Sequence, residues 1–249
     1  MNTPSLILHI PHASTIIPFR DGYLVDDDTL RAEQLALTDW HTDDLFANKH
    51  DIAVVAPFSR IFCDPERFTD DAQEVMSRYG MGVCYTHTDA GQEMRRMDAE
   101  QRERILNDHY RPHHERLSAA VRNALQINGS ATIIDCHSFP AVPLHRDLDQ
   151  APERPDYNIG TDAFHTPPEL VEAARAYFAQ QGQSLWVDRP YSGSLVPAAY
   201  YQREPRVRSI MLEVNRALYL QPGSDERSAT YATVKAVVQG FLEVMRNEG

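Results

Sequence analysis

Short β-rich runs alternate with helix-periodic segments along the chain of 249 residues, and this alternation limits the fold more than any other feature. Residues 5–10 (SLILHI), 52–56, 131–136, 184–187 and 207–214 are short and rich in β-branched and other apolar residues, and they read as strands. A further extended piece is expected over 60–63, stopped by Pro65. Between them, Asp26, Asp27 and Asp28 open a helix running through Leu30, Gln34 and Leu37, where acidic side chains cap free N–H groups and offset the helix dipole. Thr38 is expected to cap another helix over 39–48, with Trp40, Leu45 and Phe46 buried. The longest helical region is 94–125, with Ile105, Leu117, Val121 and Leu125 on one face; Pro112 must start a new helix there or kink this one. Asn128-Gly129 is a turn, a helix over 168–181 is closed by Gly182, and an amphipathic helix over 224–247 ends the chain. The pattern predicts an α/β fold of three layers, a mostly parallel mixed sheet covered by helices on both faces. No internal repeat or linker interrupts residues 1–249, which points to a single domain.

Charge narrows the partners. Lys and Arg number 24 against 36 Asp and Glu, a net −12, so the chain is a poor general binder of nucleic acid or of an anionic membrane. Lys49 and Lys235 are the only lysines, so a cationic binding group here is a guanidinium, suited to a paired grip on a carboxylate. The apolar runs fall far short of the roughly 18 residues that a membrane span needs. The N-terminus has no basic stretch of the kind that opens a signal peptide. Cys63, Cys84 and Cys136 are sparse and lack CxxC spacing, which favours a reducing, cytoplasmic location and argues against a zinc ribbon.

Open α/β sheets bind ligands beyond the carboxyl ends of their strands, so polar residues at strand ends are the candidates. One run ends in Pro11-His12-Ala13-Ser14, another in Asp135-Cys136-His137-Ser138, and a late one in Glu213-Val214-Asn215-Arg216. Strand alternation puts Asp135 and His137 on one face, and Ile134 and Cys136 on the other. Cys136 is thereby directed into the core and away from any nucleophilic role. Ser14 and Ser138 lie near histidines, but neither sits in a G-x-S-x-G elbow. His109 and His113 have the i, i+4 spacing of a helical metal pair, but Pro112 interrupts the turn and no H-E-x-x-H is present. They read as a polar helix face. Arg60, Asp64 and Arg67, within FSRIFCDPERF, suit either a carboxylate grip or a surface ion-pair network. The polar loop over 140–155 is longer than most connections, as functional loops often are.

Seven segments in one order carry a family resemblance: IPHAS (10–14), TDWHTD (38–43), SRIFCDPER (59–67), YRPHHERL (110–117), IDCHSFP (134–140), RPYSGS (189–194) and MLEVNRALY (211–219). Together they resemble the N-formylglutamate amidohydrolase (deformylase) family, zinc enzymes of histidine degradation. More distantly, His137-Ser138-Phe139 and Glu213 are similar to the His-Ser-aromatic triplet and late-strand glutamate of zinc carboxypeptidases. The resemblance implies a zinc-carboxypeptidase-like, phosphorylase/hydrolase-like fold and cleavage of N-formyl-L-glutamate to formate and L-glutamate. It implies Zn²⁺ held by His12, Asp39 and His137, with Glu213 as general base and Asp135 orienting a ligand imidazole. Asp39 is preferred because an acidic residue in the first turn of a helix fits the TDWH segment; His41 is the alternative, and His114 is left unassigned. Arg60 and Arg67 would grip the substrate carboxylates, one of them also steadying the oxyanion, and Ser138, Tyr191 and Gly193 complete the substrate site. The chain departs from the family at Asp64-Pro65-Glu66-Arg67, where Asp-x-Asn-Arg is usual, and at Gly193-Ser194, where Gly-Gly is usual. The carboxypeptidase His-x-x-Glu pair is absent, since Thr15 stands three residues after His12. Two alternatives remain at this level: a related zinc amidohydrolase or carboxypeptidase acting on another N-acyl amino acid, and a metal-free binding protein of the same fold. In each case the partner is a small anionic N-acyl amino acid, and the oligomeric state is left open.

Overall fold

The strands are β1 (Ile7–Ile10), β2 (Ile52–Val55), β3 (Ala131–Phe139), β4 (Tyr157–Gly160), β5 (Leu185–Val187) and β6 (Val207–Asn215). In the computed structural model, which describes residues 5–248, they form one sheet in the order β2-β1-β3-β6-β4-β5. The first four residues, part of the stretch read above as lacking a signal peptide, lie outside that range. β2, β1, β3 and β6 run parallel, whereas β4 is antiparallel to β6 and parallel to β5. The sheet is therefore mixed and mostly parallel, as the alternation predicts.

The two faces of the central strands differ in kind. Leu8 and Ile10 of β1, Ile134 and Cys136 of β3, and Ile210, Leu212 and Val214 of β6 share one face. That face packs against α5 (Pro168–Gln180) through Leu170, Ala174 and Phe178, and against α6 (Tyr231–Asn247) through Val234, Val238, Phe241 and Leu242. It is apolar along its whole length. The opposite face begins apolar, with Ile7, Ile133 and Val207 under Leu117, Val121 and Ala124 of α4 (Arg111–Asn128). Toward the strand carboxyl ends it turns polar, with His9, Asp135, His137 and Glu213, all buried. Since successive side chains point to opposite faces, this switch is written into the sequence as a change of residue type at constant parity.

Several expectations are corrected. Thr38 does not start a helix. It closes α1 (Asp27–Leu37), its N–H donating 3.0 Å to the Gln34 carbonyl, whereas Asp26 caps the start of α1 as expected. Residues 39–41 turn, with His41 in the left-handed region at φ 61°, and only Thr42–Leu45 (α2) is helical. The reason is that Asp39 points inward to ion partners and so cannot serve a helix N-terminus. Residues 60–63 form a turn instead of an extended piece, with the Phe62 and Cys63 N–H groups both donating to the Ser59 carbonyl. The long helical region starts later, at α3 (Ala99–Ile105), behind an Asp98–Gln101 capping box. A wide turn over Leu106–Tyr110 then leads into α4. Pro112 lies in the first turn of α4, so it starts a helix, one of its two expected effects. The final helix begins at Tyr231, after a turn-rich approach. β4 has no counterpart in the sequence reading. Its Asn158 and Gly160 are poor strand formers, and the strand exists because all four of its residues are buried between β5 and β6. A side chain at Gly160 would overlap the Gly193 carbonyl and the Met211 side chain.

Candidate metal centre and active site

Three neighbouring strands and two loops bring one cluster together. His12 lies just past the end of β1, and its carbonyl accepts the Asp39 N–H at 3.0 Å, which ties the Asp39 turn to it. His137 of β3 sits directly opposite Glu213 of β6 in the parallel register. The loop following β2 brings Asp64 and Glu66 against the histidines.

Hydrogen bonding orients each imidazole. His12 Nε2 lies 2.8 Å from Asp64 Oδ1. Asp64 is fully buried, which by itself would raise its pKa, but His12, Arg60 and Arg67 hold the carboxyl well below the usual carboxylate range. An ionised carboxylate only accepts, so Nε2 carries the hydrogen and Nδ1 presents a lone pair. That Nδ1 is buried and has no hydrogen-bond partner among the described residues. It faces Asp39 Oδ2 at 3.5 Å, and the same oxygen lies 3.0 Å from His137 Nδ1. His137 Nε2 meets Glu66 Oε1 at 3.1 Å and Asp135 Oδ1 at 3.3 Å. Arg216 Nη2 donates to Asp39 Oδ1 at 3.0 Å. Burial opposes the charge on Asp39, but the neighbouring His12 and His137 imidazoles hold its carboxyl well below normal.

The cluster has the donor chemistry of a divalent-cation site. His12, Glu66 and His137 offer ligand atoms all within 4.8 Å of one another. However, Glu66 approaches His12 on Nε2, the nitrogen already given to Asp64, so the open side of the two rings is the Nδ1 side, where Asp39 sits. Charge points the same way. The carboxylates of Asp39, Asp64, Glu66, Asp135 and Glu213 outnumber the guanidiniums of Arg60, Arg67 and Arg216 by two, in a buried setting where unpaired charge is costly. The upward shifts of two groups express the same deficit as bound protons. Burial pushes Glu213 up to about 8. Burial pulls His137 down, but Glu66 and Asp135 win and raise it well above its ordinary value.

A cavity of about 180 Å³ opens on these groups. Glu213 lines it, and its Oε2 is buried without a hydrogen-bond partner among the described residues. Arg216, three residues on, is not its partner: it binds Asp39, Ser138 and the Ala36 carbonyl. Arg60 and Arg67 also line the cavity. They are not a surface network: Arg60 Nη2 donates 3.0 Å to the fully buried Asp64, and Arg67 Nε lies 3.6 Å from the same carboxylate. Ser138 is at the wall, but its hydroxyl accepts from Arg216 Nε at 3.1 Å. Tyr191 lines the cavity with its hydroxyl donating 3.0 Å to Asp147. Gly193 does not line it; Ser192 does, and the Gly193 carbonyl packs instead against Gly160. His41 is turned away, its Nε2 donating 2.8 Å to the Asp225 carbonyl. His114 lies outside the cavity wall and donates 2.8 Å to the Pro65 carbonyl, which anchors the loop carrying Asp64 and Glu66. His109 and His113 do not meet as a metal pair: His109 packs on the edges of Phe58 and Phe62, and His113 is buried against His9.

Some of these residues escape a sequence reading. Glu66 is visible only as a departure from a family pattern, yet its carboxylate stands among three histidines. Arg146, in the long 140–155 loop, lines the cavity with Nη1 buried and unpaired among the described residues, while its Nε is fixed 3.0 Å from the Asp89 carbonyl. His9 carries a usable signal: it is a polar residue in β1 on the parity of Asp135 and His137.

The sequence model of the family described as N-formylglutamate amidohydrolase matches residues 4–220. The chain is 26% identical over 253 residues to N-formylglutamate deformylase of Pseudomonas aeruginosa, covering 95% of this chain and 92% of that protein. It is 25% identical over 255 residues to N-formylglutamate deformylase of Pseudomonas putida, with the same coverage of each. The crystal structure of N-formylglutamate amidohydrolase from Ralstonia eutropha JMP134 superposes with a TM-score of 0.85 at 26% identity, over 100% of this chain and 95% of that one. A gene product of Agrobacterium tumefaciens shares the fold, with a TM-score of 0.69 at 19% identity over 98% and 90% of the two chains.

Proposed function

The chain belongs to the N-formylglutamate amidohydrolase family, and from that premise we propose that it cleaves N-formyl-L-glutamate to formate and L-glutamate, using Zn²⁺ held by His12, Asp39 and His137. The observation that carries this reading is the buried, unpaired His12 Nδ1, facing the Asp39 oxygen that also meets His137 Nδ1. Two imidazoles and one carboxylate are a donor set typical of catalytic zinc. When bound, Zn²⁺ supplies the Lewis acidity that polarises an acyl carbonyl and eases the ionisation of water.

The protein's own groups do the rest. Glu213, ionised, takes a proton from the attacking water through its free Oε2 and passes it to the departing amine nitrogen. Arg60 and Arg67, pre-set by Asp64, hold the substrate α-carboxylate, and one of them steadies the oxyanion. Arg146, with its unpaired Nη1, takes the side-chain carboxylate. Asp64 keeps the hydrogen of His12 on Nε2, and Asp135 and Glu66 do the same for His137. A cavity of about 180 Å³ suits a small substrate, since pockets for drug-sized ligands run to about 300–1,000 Å³. A role in histidine degradation, in the cytoplasm, completes the proposal. The cytoplasmic part is supported by the free, buried Cys63, Cys84 and Cys136, which suit a reducing compartment.

The test is a comparison of formyl-, formimino-, acetyl- and succinyl-L-glutamate as substrates, with metal analysis of the same preparation. Release of formate from the formyl compound at the highest kcat/KM, by protein carrying one zinc per chain, is expected. A zinc-loaded protein that prefers another acyl group would redirect the assignment, and an active protein free of metal would end the zinc reading.

A further inference from the structure

Beneath the cavity, a buried line of side chains runs from the surface of α4 to Asp135. Arg116 Nη2 lies 3.4 Å from His113 Nδ1. His113 Nε2 lies 2.9 Å from His9 Nε2, and His9 Nδ1 lies 2.7 Å from Asp135 Oδ1. Both histidines are fully buried and Asp135 nearly so. The other Asp135 oxygen accepts the Leu195 N–H at 2.9 Å.

We propose that Arg116, His113 and His9 form a one-way hydrogen-bond chain that fixes Asp135 as an acceptor toward His137, so that the His137 Nδ1 lone pair is kept for the metal. The inference rests on the reading that His137 binds zinc through Nδ1. The direction follows from elementary inventory. A guanidinium can only donate, so His113 Nδ1 accepts. A neutral imidazole with one accepting nitrogen donates from the other, so His113 Nε2–H points at His9 Nε2. His9 then has Nδ1–H left, and gives it to Asp135. Burial, followed by the neighbouring His9, pushes the His113 pKa down to about 2, which agrees with a neutral ring. Asp135 Oδ1, 3.3 Å from His137 Nε2, can then only accept from it. His113 and His9 are therefore positioning residues, acting through Asp135.

The same atoms admit a competing description. His9, Glu66 and Asp135 have ligand atoms within 4.8 Å of one another and could be taken for a second cation site. In the chain described here His9 Nδ1 carries a hydrogen, which excludes a second ion.

Nitrogen NMR of ring-labelled histidine in the wild-type protein reads the tautomers directly, with or without zinc. Protonation of His9 at Nδ1 and of His113 at Nε2 is expected. The opposite assignment for either ring overturns the chain, whatever becomes of the zinc reading. Zinc affinity, measured by chelator competition on the full-length protein, is the second arm. His113→Leu is expected to weaken zinc by about tenfold, in the range usual for groups that orient a ligand. His113→Gln, whose amide can both accept from Arg116 and donate to His9, should recover most of that loss. Equal weakening in both variants means that ring volume and not the hydrogen bond matters, and overturns the proposal. So does wild-type affinity in a folded His113→Leu protein, or two zinc ions per chain. If His113→Leu does not fold, the tautomers and the His113→Gln affinity, expected near wild type, still decide.

Discussion

Glu213 and His137 face each other across adjacent parallel strands, both buried, yet Glu213 Oε2 has no hydrogen-bond partner among the described residues. A carboxylate left free at that position is available for chemistry. Glu213→Gln keeps the shape and removes the acceptor of the proton. We expect the variant to fold, retain zinc and show a similar KM, while kcat falls on the order of 10²–10⁴, the usual worth of general-base catalysis. A folded, zinc-loaded variant with kcat within a few-fold of wild type would remove Glu213 from the mechanism.

The same residue gives a pH signature. Burial raises its pKa in the metal-free fold from 4.5 to about 8. Between those values the folded state binds a proton that the unfolded chain has lost, so its stabilising contribution is full below about 4.5 and declines as pH rises toward about 8. Denaturant unfolding of chelator-treated protein should therefore lose stability over this window more steeply in wild type than in Glu213→Gln. Parallel pH profiles for the two proteins would contradict the assignment.

Asp64 joins His12 to the arginines. It lies 2.8 Å from His12 Nε2 and also receives bonds from Tyr85 and Arg60. In Asp64→Asn, Arg60 and Arg67 lose their buried counter-charge, a change that costs about 3–5 kcal/mol in other buried pairs. His12 would lose its fixed tautomer at the same time, so zinc should bind about 10–100-fold more weakly. Calorimetry and chelator competition measure the two effects separately, and a variant that loses neither would show the pair to be idle.

For substrate recognition, Arg67→Ala should raise KM for N-formylglutamate by about tenfold or more, the worth of one charged hydrogen bond of about 1.5–3 kcal/mol. Arg67→Lys should rescue only in part, because a point ammonium cannot make a paired contact. Arg146→Gln should act on the other carboxylate. It should penalise N-formylglutamate and spare an N-formyl amino acid with a neutral side chain. Equal losses on both substrates would take Arg146 out of side-chain recognition.

Zinc should also act as a stabiliser, because a divalent ion balances the carboxylate excess. Saturation at about 100 times Kd adds about 2.7 kcal/mol to unfolding free energy. Thermal unfolding with and without chelator should show the difference in wild type and little of it in Asp39→Asn.

Much of the site was legible because strand parity is a strict code. Asp135 and His137 could be assigned to one face from alternation alone, and Cys136 to the other, where it packs under α5 and α6, whereas Glu213 joins them only through the register between β3 and β6. His12 followed from its position at a strand end. What failed to show was long-range. The local sequence around Asp39 looks like a helix start, and only the family resemblance groups it with His12 and His137; its partners, these two histidines and Arg216, lie far away along the chain. Likewise β4 is set by the strands beside it and not by its own residues, and Glu66 gains meaning only when three histidines from elsewhere surround its carboxylate.

β3 and β6 stay in parallel register from Ala131↔Val207 to Phe139↔Asn215. Because the side-chain period is two, a single-residue insertion in either strand would carry the reactive groups into the helical layer and leave core aliphatics facing the substrate. Such an insertion is expected to abolish catalysis outright. The loops over 140–155 and 188–194 are under no such parity rule. Changes in those loops can therefore alter the cavity wall at Arg146, Asp147 and Tyr191 without displacing the groups that β3 and β6 hold.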